Sequence, residues 1–251
     1  MKKETMKKVA VGAIAVMTIG ALAFAPSIGA YFTGTDAKTD SYTIGSIEIA
    51  NQFVGQANED ITPLWEMSYD SAKIKNVGIN DAYVFMTVDV PMAEVYTSDA
   101  DGNCSAAPEL LELFEINYDG ATVGAGWEQV GTGLALTDTN GDQIGTRYVY
   151  AYATGGELTE LAPDATTDNS IFSIMKFINV ADTDANGDAV ASEYNIEGRD
   201  DLVVKLTAYG IQTDNVKTDV AFAGDNADGS KDPATVWAVV RNALQVSEAE
   251  A

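Results

Sequence analysis

Between Glu115 and Ala153 the chain alternates short runs of β-forming residues with glycine-bearing turns, which leaves no room for helices of ordinary length. The runs Glu115–Tyr118, Gly126–Val130, Gly133–Leu136 and Gly145–Ala153 are separated by Asp-Gly, Gly-Ala-Gly, Gly-Thr-Gly and Asn-Gly-Asp. Tight hairpin turns demand positive φ, which glycine adopts freely and Asn or Asp tolerate. The segment therefore predicts a β-meander. In its last run, RYVYAYAT, Tyr148, Tyr150 and Tyr152 fall on one face and Val149 and Ala151 on the other, so the tyrosines read as one wall of a sandwich.

The flanking segments extend the same pattern. Ala72–Val90 predicts a hairpin, with its turn over Asn76–Asn80 and with Pro91, which lacks a ladder donor, closing the second strand. Ser170–Val180 and Leu202–Ile211 read as further strands from their β-branched and aromatic content. Two stretches read as helical. Pro108–Phe114 opens on proline and places Leu110, Leu111 and Phe114 on one side. Asp232 as N-cap, Pro233 at the first helical position, and Val236, Trp237, Val240 and Leu244 at helical spacing predict a helix running to Val246. Short strands divided by Gly and Asp turns predict an all-β fold, an antiparallel β-sandwich of jelly-roll type with short helical insertions and a C-terminal helix.

Charge and residue usage narrow the function. The 251 residues carry 38 acidic and 14 basic side chains and no histidine. A net charge of −24 repels nucleic acid and anionic membranes and favours solubility and cations. Without imidazole there is no Ser-His-Asp triad, Cys-His dyad or HExxH zinc site, and no GxSxG elbow or phosphate loop is present, so the chain is not expected to be an enzyme. The single cysteine, Cys104, cannot close an intramolecular disulfide and reads as a loop thiol.

The first 30 residues have the layout of a secretory signal: Lys2, Lys3, Lys7 and Lys8, then an apolar run from Val9 to Phe24, then small residues up to Ala30. The apolar run falls short of the roughly 20 residues that span a bilayer comfortably. Cleavage is expected at Ala30, leaving residues 31–251 as a single secreted domain with no stable membrane anchor. The new N-terminus would begin Tyr31, Phe32, Thr33, and the stretch to Ile49 is strand-like but has no obvious partner beside it in sequence.

One loop carries a metal-site pattern. DTDANGDAVASE, Asp182 to Glu193, matches the spacing of a calcium loop through Asp182, Asp184, Asn186, Asp188 and Glu193, with Gly187 at the turn position. Hard oxygen ligands make Ca2+ the candidate ion. The flanks do not read as the two helices of an EF-hand, and Asp and Asn also gather in hairpin turns for backbone reasons. Similar runs occur at Asp99–Asn103, Asp138–Asp142 and Asp225–Asp228.

The leader followed by AYFTGTDAKTDSYTIGSIEI, together with KIKNVGINDAYVFMTVDV, RYVYAYAT, SIFSIMKFINV and VKLTAYGIQTDN, resembles the TasA/camelysin family. The most specific portions are the leader with AYFT and the N-x-G-x-x-D-A-Y-V stretch from Asn76 to Val84. The resemblance implies a jelly-roll subunit of extracellular biofilm fibres, released by a SipW-type signal peptidase. It also implies assembly with further copies, and with a minor fibre subunit, by donor-strand exchange. The donor would be the segment 31–42, through Tyr31, Phe32, Thr33, Thr35, Thr39 and Tyr42. Some relatives have been called metallopeptidases, an activity that would here lack its histidine ligands. The alternative from the acidic loops is a calcium-dependent surface adhesin or binding module.

Overall fold

The computed structural model describes residues 49–52, 66–68, 72–196, 199, 202, 204–213 and 231–243. The expected signal segment, the expected cleavage residue Ala30 and the candidate donor residues Tyr31 to Tyr42 lie outside the described residues. Among those described the chain is all-β and antiparallel, with one helix. In chain order the strands are β1 (Ile49–Gln52), β2 (Glu66–Ser68), β3 (Lys73–Asn76), β4 (Ala82–Val95), β5 (Glu109–Glu112), β6 (Phe114–Asn117), β7 (Trp127–Gln129), β8 (Leu134–Thr137), β9 (Gln143–Thr154), β10 (Glu157–Leu158), β11 (Ile174–Phe177) and β12 (Lys205–Gln212). The helix is α1 (Pro233–Ala243).

Strand β4 is the centre of the larger sheet. It pairs with β12 on one edge and with β9 on the other, and β7, β8 and β10 pair with successive parts of β9. A strand covered on both faces reads as a near-continuous apolar run, and AYVFMTVDV is one, interrupted only by Thr87 and Asp89. Val84, Met86, Val88 and Val90 point to one face, where they share a core with Tyr150, Tyr152 and Trp127 of the same sheet and with Phe114, Met175 and Phe177 of the three-stranded sheet β2–β11–β6. Tyr83 and Phe85 point to the other face and pack with Val149, Ala151, Tyr209 and the α1 residues Val236, Trp237 and Val240. The predicted tyrosine wall is thus present, and Val149 and Ala151 are covered by the helix side. Asp232 caps α1 as expected, its carboxylate accepting the Thr235 N–H at 2.8 Å.

Several pairings differ from the sequence reading. The hairpin expected over Ala72–Val90 does not form, because β3 pairs with β1 and not with β4. The 161–167 segment comes between them: Lys75 bridges to Thr166 and Ala82 to Leu161. Asn76, fully buried, secures this junction. Its side-chain amide donates to the carbonyls of Asn80 and Leu161 at 2.8 Å each, and its Oδ1 accepts the Gly78 N–H at 3.0 Å.

Pro91 does not end β4. It is the last residue paired with β9, opposite Gly145, and from Met92 onward the strand pairs with β5. A residue without an N–H is tolerated where the ladder changes partner. Gly145 has to be small there, since a Cβ would lie 2.8 Å from the Val90 carbonyl oxygen.

The helix expected over Pro108–Phe114 is instead strand β5 and the start of β6, paired with Val95–Met92 and with β11 respectively. The apolar residues that fit a helical face serve two strands, with Leu113 and Phe114 buried and Leu110 exposed. The 115–154 stretch is not a simple meander either, because β6 joins the three-stranded sheet while β7, β8 and β9 stay in the larger one.

Candidate functional site

Three loops with the pattern Asp-x-(Asp/Asn)-Gly-(Asp/Asn) have one geometry. They begin at Asp99, Asp138 and Asp184. In each, Oδ1 of the first Asp accepts the N–H groups of the third and fifth residues: Asp101 and Asn103 at 2.9 and 2.8 Å, Asn140 and Asp142 at 2.8 and 2.9 Å, Asn186 and Asp188 at 2.8 and 3.0 Å. Oδ2 accepts a side-chain amide, from Asn103, Asn140 or Asn186, at 2.9, 3.0 and 3.1 Å. The glycines sit at φ +84, +92 and +82, where a side chain is strained. Such hydrogen bonds favour the charged carboxylate. The Asn103 side-chain amide leads in holding the Asp99 pKa below its usual value, the Asp142 N–H in lowering that of Asp138, and the Asn186 N–H in lowering that of Asp184.

This geometry places the calcium-loop residues. Asp182 to Glu193 is a hairpin turn with a bridge between Thr183 and Ala189, and Val190 N–H donates to the Asp182 carbonyl at 3.0 Å. Both Asp184 oxygens face N–H groups of their own loop. Glu193 is engaged by Tyr194, whose pKa its carboxylate raises through a hydrogen bond. Asp182, Asp184, Asp188 and Glu193 do not converge, and among the described residues no group of three or more Asp, Glu or Cys side chains is arranged to hold a metal ion. Asp225–Asp228 lies outside the described residues. Cys104 is half-buried beside the Asp184 loop, its Sγ 3.6 Å from Thr183 Oγ1.

The second candidate is a groove of about 680 Å³ between the larger sheet and the three-stranded sheet. Tyr148 and Tyr150 of β9, Val90 of β4 and Leu111 and Glu112 of β5 line it from the larger sheet, and Phe114 to Asn117 of β6 from the three-stranded sheet. Gln129 of β7 also borders it. Among the described residues β6 pairs with β11 alone and β7 with β9 alone. The bonds Ile178 N–H to Leu113 carbonyl and Val130 N–H to Val149 carbonyl set the alternation of the two ladders. That alternation turns the N–H and C=O of Ile116 away from β11 and those of Gln129 away from β9. The groove therefore has aromatic and aliphatic walls beside two strand edges.

Electrostatics hold the groove tyrosines neutral. Burial pushes the Tyr150 phenol up to about 12. Tyr148 is also raised, by burial first and then by its hydrogen bond to Glu112. Neither groove nor edge pairing was readable in sequence, because the β5–β6 strands carry a helical spacing of apolar residues. The aspartate loops were readable, since their five-residue pattern recurs in the chain.

Comparison with protein-family models, with curated proteins and with solved structures finds no match.

Proposed function

We propose that this chain is a secreted structural subunit of an extracellular biofilm matrix or cell-surface fibre, similar to the TasA/camelysin proteins. In this reading the larger sheet and the three-stranded sheet form a jelly-roll sandwich, and a SipW-type peptidase cleaves after Ala30. The freed segment 31–42 then adds as a strand to a neighbouring copy, head to tail, with a minor fibre subunit as a further partner. The observation that carries the reading is the groove bordered by the β6 and β7 edges. An extended segment lying there would find main-chain partners on its edges and apolar side-chain contacts on the walls, which are the two components of strand addition. The role is structural and not enzymatic.

The calcium-dependent adhesin is the weaker reading, because the Asp184 oxygens it requires cap the N–H groups of a turn.

Electron microscopy of purified protein beginning at Tyr31, beside protein beginning at Ser41, tests the proposal. Filaments are expected from the first alone. Equal filament formation by both would remove the donor role. Ile116→Lys, which puts a charge on the half-buried groove wall, is expected to block assembly of the longer form while the protein remains folded.

A further inference from the structure

The chain has two Asn-Gly dipeptides, Asn140-Gly141 and Asn186-Gly187, and the fold places both at the same position of the same loop type. Asn-Gly is prone to spontaneous deamidation because the following N–H is unshielded by any side chain. The glycine nitrogen bonds to the asparagine Cγ, and the side-chain nitrogen leaves as ammonia, taking the proton that the glycine nitrogen loses. Water then opens the resulting five-membered imide at either carbonyl, giving aspartate or isoaspartate. The net change replaces an amide with a carboxylate, and the isoaspartate product adds a methylene to the backbone.

In both loops the two reacting groups are engaged elsewhere. The nucleophilic N–H of Gly141 donates to the Asp138 carbonyl at 3.0 Å, and that of Gly187 to the Asp184 carbonyl at 3.0 Å. The electrophilic side chains are held by the carboxylates of the same two aspartates, Asn140 Nδ2 at 3.0 Å from Asp138 Oδ2 and Asn186 Nδ2 at 3.1 Å from Asp184 Oδ2. Each asparagine backbone N–H is fixed to Oδ1 of the same carboxylate at 2.8 Å. Ring closure would require the glycine N–H to leave its carbonyl and the asparagine side chain to leave its carboxylate.

We propose that Asn140 and Asn186 are latent deamidation sites, and that Asp138 and Asp184 are positioning residues that keep them unreacted. The first loop joins β8 to β9, so an added backbone methylene there would disturb the hairpin that leads into the central sheet. The geometry shared by the two turns thus protects the covalent structure as well as shaping it.

The test follows isoaspartate formation at both sites by peptide-mapping mass spectrometry after prolonged incubation of the folded protein. The arms are the parent protein, Asp138→Asn, Asp138→Ala and a short unstructured peptide spanning Thr137 to Gln143. In the parent, Asn140 is expected to react at least about tenfold more slowly than in the peptide, as the loss of charge-assisted hydrogen bonds implies. Asp138→Asn keeps an oxygen for the backbone N–H groups but loses the acceptor for Asn140 Nδ2, and an intermediate rate is expected. Asp138→Ala should approach the peptide rate at Asn140 and leave Asn186 unchanged. A parent rate equal to the peptide rate would overturn the proposal, as would an unaltered rate in a folded Asp138→Ala. If Asp138→Ala also accelerates Asn186, the chain has unfolded and Asp138→Asn decides, with an unaltered Asn140 rate there counting as refutation.

Discussion

The Tyr148 hydroxyl donates a 2.8 Å hydrogen bond to Oε1 of Glu112, tying the β9 wall of the groove to β5. The bond joins residues that are 36 positions apart and holds the Glu112 carboxylate at the groove. Tyr148→Phe keeps the ring and removes the donor. Stability should fall by about 1 kcal/mol, read from urea denaturation midpoints, with the groove shape retained.

Alkaline titration should destabilise the protein through its buried phenols. The Tyr150 pKa rises from 10.0 to about 12 on folding, with burial as the leading cause. A group raised in this way contributes stability fully below its unfolded pKa and loses it as pH rises through the folded one. Thermal midpoints are therefore expected to decline between pH 10.0 and about 12. Tyr150→Phe should flatten that decline, and phenolate absorbance should show late ionisation in the parent. A parent protein whose tyrosines all ionise with the unfolded profile would contradict the burial.

At the acid end the sign is reversed. Asp99, Asp138 and Asp184 have folded pKa values below the ordinary 3.8. Their contribution is present above the unfolded pKa and is lost as pH falls through the folded values. The expected outcome is a melting temperature that drops between about pH 5 and pH 2. The triple variant with Asn at all three positions should show a shallower drop in that window. These loops are solvent-exposed, so the effect should be small and local, best seen as chemical-shift changes at Asn103, Asp142 and Asp188.

Arg147 and Asp89 face each other in register on β9 and β4, joined by Nε–Oδ1 and Nη2–Oδ2 contacts of 2.7 Å each. Their side chains are only 11% and 12% exposed, so neither charge is well solvated. Asp89→Ala should cost about 3 kcal/mol by leaving the guanidinium without its carboxylate. The double variant Asp89→Leu with Arg147→Leu should recover most of that loss, since an apolar pair needs no desolvation of charge. Denaturant unfolding of both variants provides the measurement. Equal losses in single and double variants would show that packing, and not charge, holds this position.

The locally encoded parts of the fold were legible. The α1 cap depends on Asp232, Pro233 and Thr235, all within four residues, and the tyrosine wall on strict alternation along one strand. The aspartate loops were legible as turns because each carboxylate bonds within five residues of itself. The same loops match a calcium-loop spacing in sequence because turn caps and ion ligands both require closely spaced oxygens. The reading failed where two periodicities were satisfied at once: Leu110, Leu111 and Phe114 fit a helical face, but the free edge of Met92–Val95 draws Glu109–Glu112 into a strand.

By itself the sequence determined an all-β chain punctuated by aspartate and glycine turns, because alternation and positive φ are properties of neighbouring residues. Only the tertiary structure decided which strand pairs with which. Asn76 turns β3 away from β4 by bonding to a carbonyl 85 residues distant, and β6 leaves its sequence neighbours for β11. Strand partnership is a competition among edges brought together by burial, and the groove with its two edges exists only once that competition has been settled.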